Sequence, residues 1–112
     1  MSYMISLFFY FILLVTNLFS VPEVKVIPIP GNINTDMQEF APSLTADGKT
    51  MYFYSKRNNS KYTDLFKSTL VNGKWTNPTE LRALNSPYDD QSPFISDDEK
   101  FIVFSLKTYI YI

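Results

Sequence analysis

The chain has 112 residues, which bounds it to one small domain, and 46% of them are hydrophobic and 17% aromatic, enough for a packed core. Ten basic residues against eleven acidic ones give a net charge of −1, which carries no electrostatic footprint for nucleic acid. The sequence contains neither His nor Cys. That excludes a Ser-His-Asp triad, a Cys-His nucleophile, a conventional zinc site, a disulfide framework and lipid attachment at an N-terminal Cys.

The first segment, MSYMISLFFYFILLVTNLFS (Met1 to Ser20), has no charged side chain and is mostly apolar from Met4 to Phe19. It reads as a hydrophobic helix serving as an export signal, with Ser20 the small residue before a cut. The absence of Lys or Arg near the start and the bulk of Leu18 depart from that pattern. An uncleaved membrane anchor and a buried core helix are the alternatives. Either the signal or the anchor makes the rest of the chain extracytoplasmic, periplasmic or secreted, with membrane contact only through this segment. Val21 to Gly31, VPEVKVIPIPG, holds three prolines and a glycine, so residues 21–32 read as an extended linker.

APSLTADGKTMYFYS, Ala41 to Ser55, returns as SPFISDDEKFIVFS, Ser92 to Ser105. The match runs without a gap at an offset of 51 positions: Asn34 falls on Asn85, Thr35 on Ser86, Glu39 on Asp90, Pro42 on Pro93, Asp47 on Asp98 and Phe53 on Phe104. A period near fifty points to a propeller or a solenoid. Phe40 to Leu44 is a short apolar run, entered through Pro42. The TADGK segment is turn chemistry, Gly48 supplying positive φ and Asp47 satisfying local amides. Thr50 to Ser55 alternates, and Leu65 to Leu70 forms a third strand. Asn72-Gly73 is a strong hairpin signal, and Trp75 opens a fourth strand that Pro78 stops. No helical spacing is sustained. The expected fold is therefore all-β: a four-stranded antiparallel propeller blade at 33–83 and a partial second blade at 84–112. Glu99 stands where the first copy has Gly48, so the second turn is expected to be strained or reshaped.

NINTDMQEFAPSLTADGKTMYFYSKR, followed by YTDLFKSTLVNGKWTNPTEL, resembles the TolB-type, WD-repeat-like β-propeller repeat of bacterial cell-envelope proteins. The resemblance covers about Ile33 to Leu106. It implies a periplasmic or secreted protein, often with a peptidoglycan-binding or peptidase domain beside the repeats. Neither neighbour is present in this sequence.

Asp89, Asp90, Asp97, Asp98 and Glu99 invite a calcium reading, but no Asp-x-Asp-x-Asp-Gly loop occurs, and Asp90 and Asp98 repeat Glu39 and Asp47. Glycoside hydrolysis by paired carboxylates fails on the turn grammar, because Asp47 and Gly48 are adjacent. No metal, cofactor or catalytic residue is expected. Trp75 is assigned to anchoring the outer strand, and Tyr52 and Tyr54 to packing between blades. The loop after the second strand is distinctive: Lys56, Arg57, Asn59, Lys61 and Tyr62 offer cations and an aromatic ring to an anionic partner. Asn58 also opens a formal Asn-x-Ser glycosylation sequon.

The expected function is a non-catalytic, exported binding or scaffolding repeat whose partner is a protein or cell-envelope component. The alternatives are the propeller portion of a larger enzyme and a truncated product without its own function. Self-association is expected through the exposed blade edge at Tyr109 to Ile112.

Overall fold

The computed structural model describes residues 21–107. The expected N-terminal hydrophobic helix and the expected edge at Tyr109 to Ile112 lie outside the described residues. Seven strands follow in order: β1 (Glu39–Leu44), β2 (Thr50–Ser55), β3 (Asp64–Val71), β4 (Lys74–Trp75), β5 (Thr79–Glu80), β6 (Asp89–Ile95) and β7 (Ile102–Lys107). The described region is all-β, without a helix. Its main body is a curled antiparallel sheet in the order β1-β2-β3-β4, with β5 also paired to β3, while β6 and β7 form a two-stranded sheet.

The sequence repeat is a structural repeat, position by position. In the first hairpin Phe40 pairs with Tyr54 and Ser43 with Tyr52, so Ala41 and Pro42 together oppose one residue, Phe53. In the second, Gln91 pairs with Ser105 and Phe94 with Val103, and Ser92 and Pro93 oppose Phe104. Each bulge starts on a residue at positive φ, 46° at Ala41 and 52° at Ser92. Pro42 and Pro93 have no N–H to leave unpaired where the ladder is interrupted. The sequence reading put Pro42 at a strand start; it lies mid-strand, in the bulge. The extra residue resets the alternation, so Phe40 and Ser43 emerge on the same face as Tyr54 and Tyr52.

The turns repeat as closely. Thr45 Oγ1 donates to Asp47 Oδ1 (2.7 Å), which also accepts the Lys49 amide (2.9 Å). Ser96 Oγ donates to Asp98 Oδ1 (2.8 Å), which accepts the Lys100 amide (3.2 Å). Gly48 has φ 68° and Glu99 φ 57°, so the second turn is not reshaped. Its glutamate takes the left-handed conformation that glycine takes freely. The Asp47 and Asp98 carboxyls are both held below the ordinary 3.8, first by the Thr45 and Ser96 hydroxyls and then by the backbone amides of Lys49 and Lys100.

Asn72 (φ 48°) and Gly73 (φ 75°) make the two-residue turn joining β3 to β4. β4 ends at Trp75, short of Pro78, and a separate strand, β5, begins just beyond the proline. Leu70 and Val71 pair with Trp75 and Lys74, and the pairing resumes one residue out of step, Phe66 with Glu80 and Lys67 with Thr79. Thr76 spans the break: its amide reaches Thr69 O (2.9 Å) and its carbonyl accepts the Ser68 hydroxyl (2.6 Å). With neighbouring groups engaged in this way, the N–H that Pro78 lacks costs the edge little.

The core lies on one face of the main sheet. Phe53 stacks on its cross-strand partner Phe66 (5.9 Å between centroids), and Ile33 and Met51 complete a buried cluster flanked by Ile29 and Trp75. Burying each such side chain contributes roughly 1.5–3 kcal/mol relative to exposure. The linker reaches this core. The Trp75 amide donates to Pro30 O (3.2 Å), and Gly31 lies so close to Trp75 that a Cβ would fall 2.4 Å from its carbonyl oxygen. Trp75 thus anchors the outer strand, as its place in the hairpin implied.

The second hairpin sits on the opposite face. Ile95 donates its amide to Ser43 Oγ (3.1 Å), and the Asp90 amide reaches Thr63 O (2.9 Å). Asn85 clamps the backbone of Leu65, accepting from its N–H (2.8 Å) and donating to its carbonyl (3.2 Å). Tyr52, Lys67, Leu84, Ile95, Phe101 and Ile102 line the cleft between the two sheets. Tyr52 therefore packs between the two copies, whereas Tyr54 stacks on Phe40 within its own sheet (5.2 Å).

Candidate functional site

The loop from Lys56 to Tyr62 joins β2 to β3 and turns on Asn58 and Asn59, both at positive φ (65° and 55°). Asparagine tolerates that conformation because its short polar side chain compensates locally. Ser60 Oγ closes the loop, donating to Asp64 Oδ2 (3.1 Å) and accepting the Tyr62 amide (3.3 Å).

The structure divides the five expected partner-contacting residues. Arg57 is buried, only 8% exposed. Its Nη2 donates to Ile33 O (2.6 Å) and Glu39 Oε1 (3.1 Å), and its guanidinium carbon lies 5.0 Å and 5.2 Å from the centroids of Phe53 and Phe66. That is a structural cation, paired and laid over the core rings, and it is not presented to a partner. The alternation of Met51, Phe53 and Ser55 continues in phase to Arg57, a signal that could have placed it inward. Lys56 is half-buried, and Asn59 and Lys61 are exposed.

Lys61 and Tyr62 form the outward part. The Lys61 Nζ stands 4.9 Å from the Tyr62 ring centroid, and interaction with the Tyr62 hydroxyl raises the lysine pKa. Tyr62 meets Tyr88 at 6.3 Å between centroids. Tyr88 belongs to the second copy and is 39% exposed, so the surface spans both repeats. The sequence reading missed Tyr88, because its approach depends on how the copies dock. Beneath it, Asp89 Oδ1 accepts the Thr63 amide (2.9 Å) and hydroxyl (3.1 Å). Asp64 has its pKa raised, first by burial and then by neighbouring Glu80, Asp90 and Asp89.

Three of the five acidic residues considered for calcium, Asp89, Asp90 and Asp98, have structural partners. Asp90 is fully buried and accepts from the Ser86 amide and hydroxyl, matching Glu39, which accepts from the Thr35 amide and hydroxyl. Asp98 organises its turn and Asp89 ties the copies together. Asn58, which opens the sequon, is exposed on the loop. What the outward group can do chemically is bind: a cation over one phenol, beside a second, offers charge and two hydroxyls to an anionic or polar partner.

No protein family, no curated protein and no solved structure matches this chain.

Proposed function

We propose that the chain is an exported β-propeller-type repeat unit that binds or scaffolds a protein or cell-envelope component without catalysis. The observation that carries this reading is the duplication itself. The two hairpins share register, bulge and turn, and the second is seated on the face of the first through Asn85, Asp89 and Ile95. Units that stack by one face present their loops together along the stack, and binding resides on such loops. The uncharged apolar stretch from Met1 to Ser20 supports export.

Lys61, Tyr62 and Tyr88 carry the binding in this reading. Binding of the full chain to isolated, washed envelope fragments tests it. The expected result is salt-sensitive binding that Lys61→Glu with Tyr62→Ala abolishes, with the unfolding midpoint unchanged. Binding equal in the double variant, or no binding, would contradict the proposal.

A further inference from the structure

The turn of the second hairpin carries a residue that its hairpin does not need. Where the first copy has Gly48, the second has Glu99, held in the left-handed conformation at φ 57°. A side chain there is strained, and strain of this kind collects at binding and catalytic sites. Glu99 gains nothing locally in return. Its neighbours Asp98 and Lys100 pair with each other (3.5 Å), while its own carboxylate has no ion pair or hydrogen bond among the described residues. Glu99 lines the cleft between the two sheets, a hollow of about 230 Å³. Tyr52 and Lys67 line the same cleft, and they are directly opposed on β2 and β3, which sets their Cβ atoms about 5 Å apart on one face. Neither the Lys67 ammonium nor the Tyr52 hydroxyl has a partner among the described residues. Leu81, Leu84, Ile95 and Ile102 supply an apolar lining.

We infer that this cleft binds a free α-amino acid with an apolar side chain. One cation and one anion line it without pairing to each other, beside an apolar wall and a hydroxyl. A lone anion would leave Glu99 unsatisfied beside it, and a lone cation would leave Lys67 so; a molecule carrying both charges satisfies both. The ligand carboxylate takes the Lys67 ammonium and the Tyr52 hydroxyl, its ammonium takes Glu99, and its side chain lies against Leu84, Ile95 and Ile102. The hollow is smaller than the roughly 300–1,000 Å³ of sites that take drug-sized molecules, which fits a single amino acid. The glutamate at a glycine position is then a functional substitution, made at the expense of the turn.

The test is a titration of the full chain, nitrogen-15 labelled and kept in mild detergent, with leucine as the probe. The amides of Tyr52, Lys67 and Ile102 should shift saturably. N-acetylleucine, which keeps only the carboxylate, and leucine amide, which keeps only the ammonium, should each bind roughly tenfold more weakly, as expected for one lost charge-assisted hydrogen bond. Glu99→Gly and Lys67→Met should weaken leucine binding to a similar extent. Glu99→Gly restores the residue of the first copy, so its unfolding midpoint should not fall, which separates lost binding from lost folding. Unshifted amides at saturating leucine, N-acetylleucine binding as tightly as leucine, or undiminished binding in Glu99→Gly would each overturn the proposal. None of these results bears on the envelope-binding reading, because Lys61, Tyr62 and Tyr88 lie outside this cleft.

Discussion

The two copies of the repeat have the same backbone and very different burial. In both, a left-handed residue before proline makes the bulge, an aspartate two residues beyond a hydroxyl organises the turn, and the strands pair in the same register. Yet Met51 and Phe53 are buried, whereas their counterparts Ile102 and Phe104 are only half-buried. The hairpin is written by local chemistry and burial by neighbours. Only the first copy has a third and a fourth strand and the Arg57–Glu39 pair among the described residues.

The sharpest way to break this comparison is to cut equivalent side chains in the two cores. Phe53→Ala should cost about 3–5 kcal/mol, the range for truncating a buried Phe. Phe104→Ala, at a half-buried position, should cost clearly less in the same urea titration. Equal losses would mean that the second hairpin has a core of its own. Arg57→Ala should also be severe, about 3–5 kcal/mol, because it leaves Glu39 without its guanidinium partner, and Arg57→Lys should restore only part of it.

A smaller contrast concerns the clamp. Asn85→Ala strips Leu65 of the partner to its amide and one partner of its carbonyl, and should cost about 1–3 kcal/mol. Asn34→Ala should stay within about 0.5 kcal/mol, since surface changes away from such features do. A comparable loss at both positions, read by thermal unfolding, would show that Asn34 has a partner as well.

The turns give a still smaller effect, of opposite sign in the two copies. Gly48→Glu should destabilise by about 1 kcal/mol through the left-handed strain alone, and Glu99→Gly should stabilise by a similar or smaller amount. A Cβ at Gly48 would meet nothing within 4 Å, so sterics do not confuse the reading.

The smallest effect is the pH dependence. Asp47 and Asp98 have lowered pKa values in the fold, so their contribution is present above the ordinary 3.8 and is lost as pH falls below it. Asp64 has a raised pKa and acts in the opposite sense, its penalty appearing as pH rises from 3.8 through its folded value. Asp47→Asn should therefore flatten the acid limb of the stability curve, and Asp64→Asn should steepen it. Thermal midpoints measured from pH 5 down to pH 2.5 would show a reversed order if these assignments fail.

Much of the architecture was legible because it is local. The DGK turn, the Asn-Gly hairpin and the alternation in TMYFYS each act within a few residues. The fifth strand was not legible because Pro78 lacks an N–H, yet Thr76 holds the neighbouring edge and pairing to β3 resumes at Thr79, one residue out of step. The binding loop was half legible. Composition marked Lys61 and Tyr62, but Arg57 went inward because Glu39, far upstream in sequence, faces Ser55 across the sheet. Tyr88 joins Tyr62 only through docking of the copies, and no pattern in the sequence reports that approach.

The central claim is that the second hairpin is seated on the first as one repeat upon another. Amide hydrogen exchange on the full chain tests it at three reporters: Leu65, held by Asn85; Asp90, held by Thr63; and Ile95, held by the Ser43 hydroxyl. The account predicts that all three are protected, and that Asn85→Ala lowers protection at Asp90 and Ile95 together while the β2–β3 amides keep theirs. Free exchange at Ile95 and Asp90 beside a protected β2–β3 ladder in the unaltered chain would contradict it.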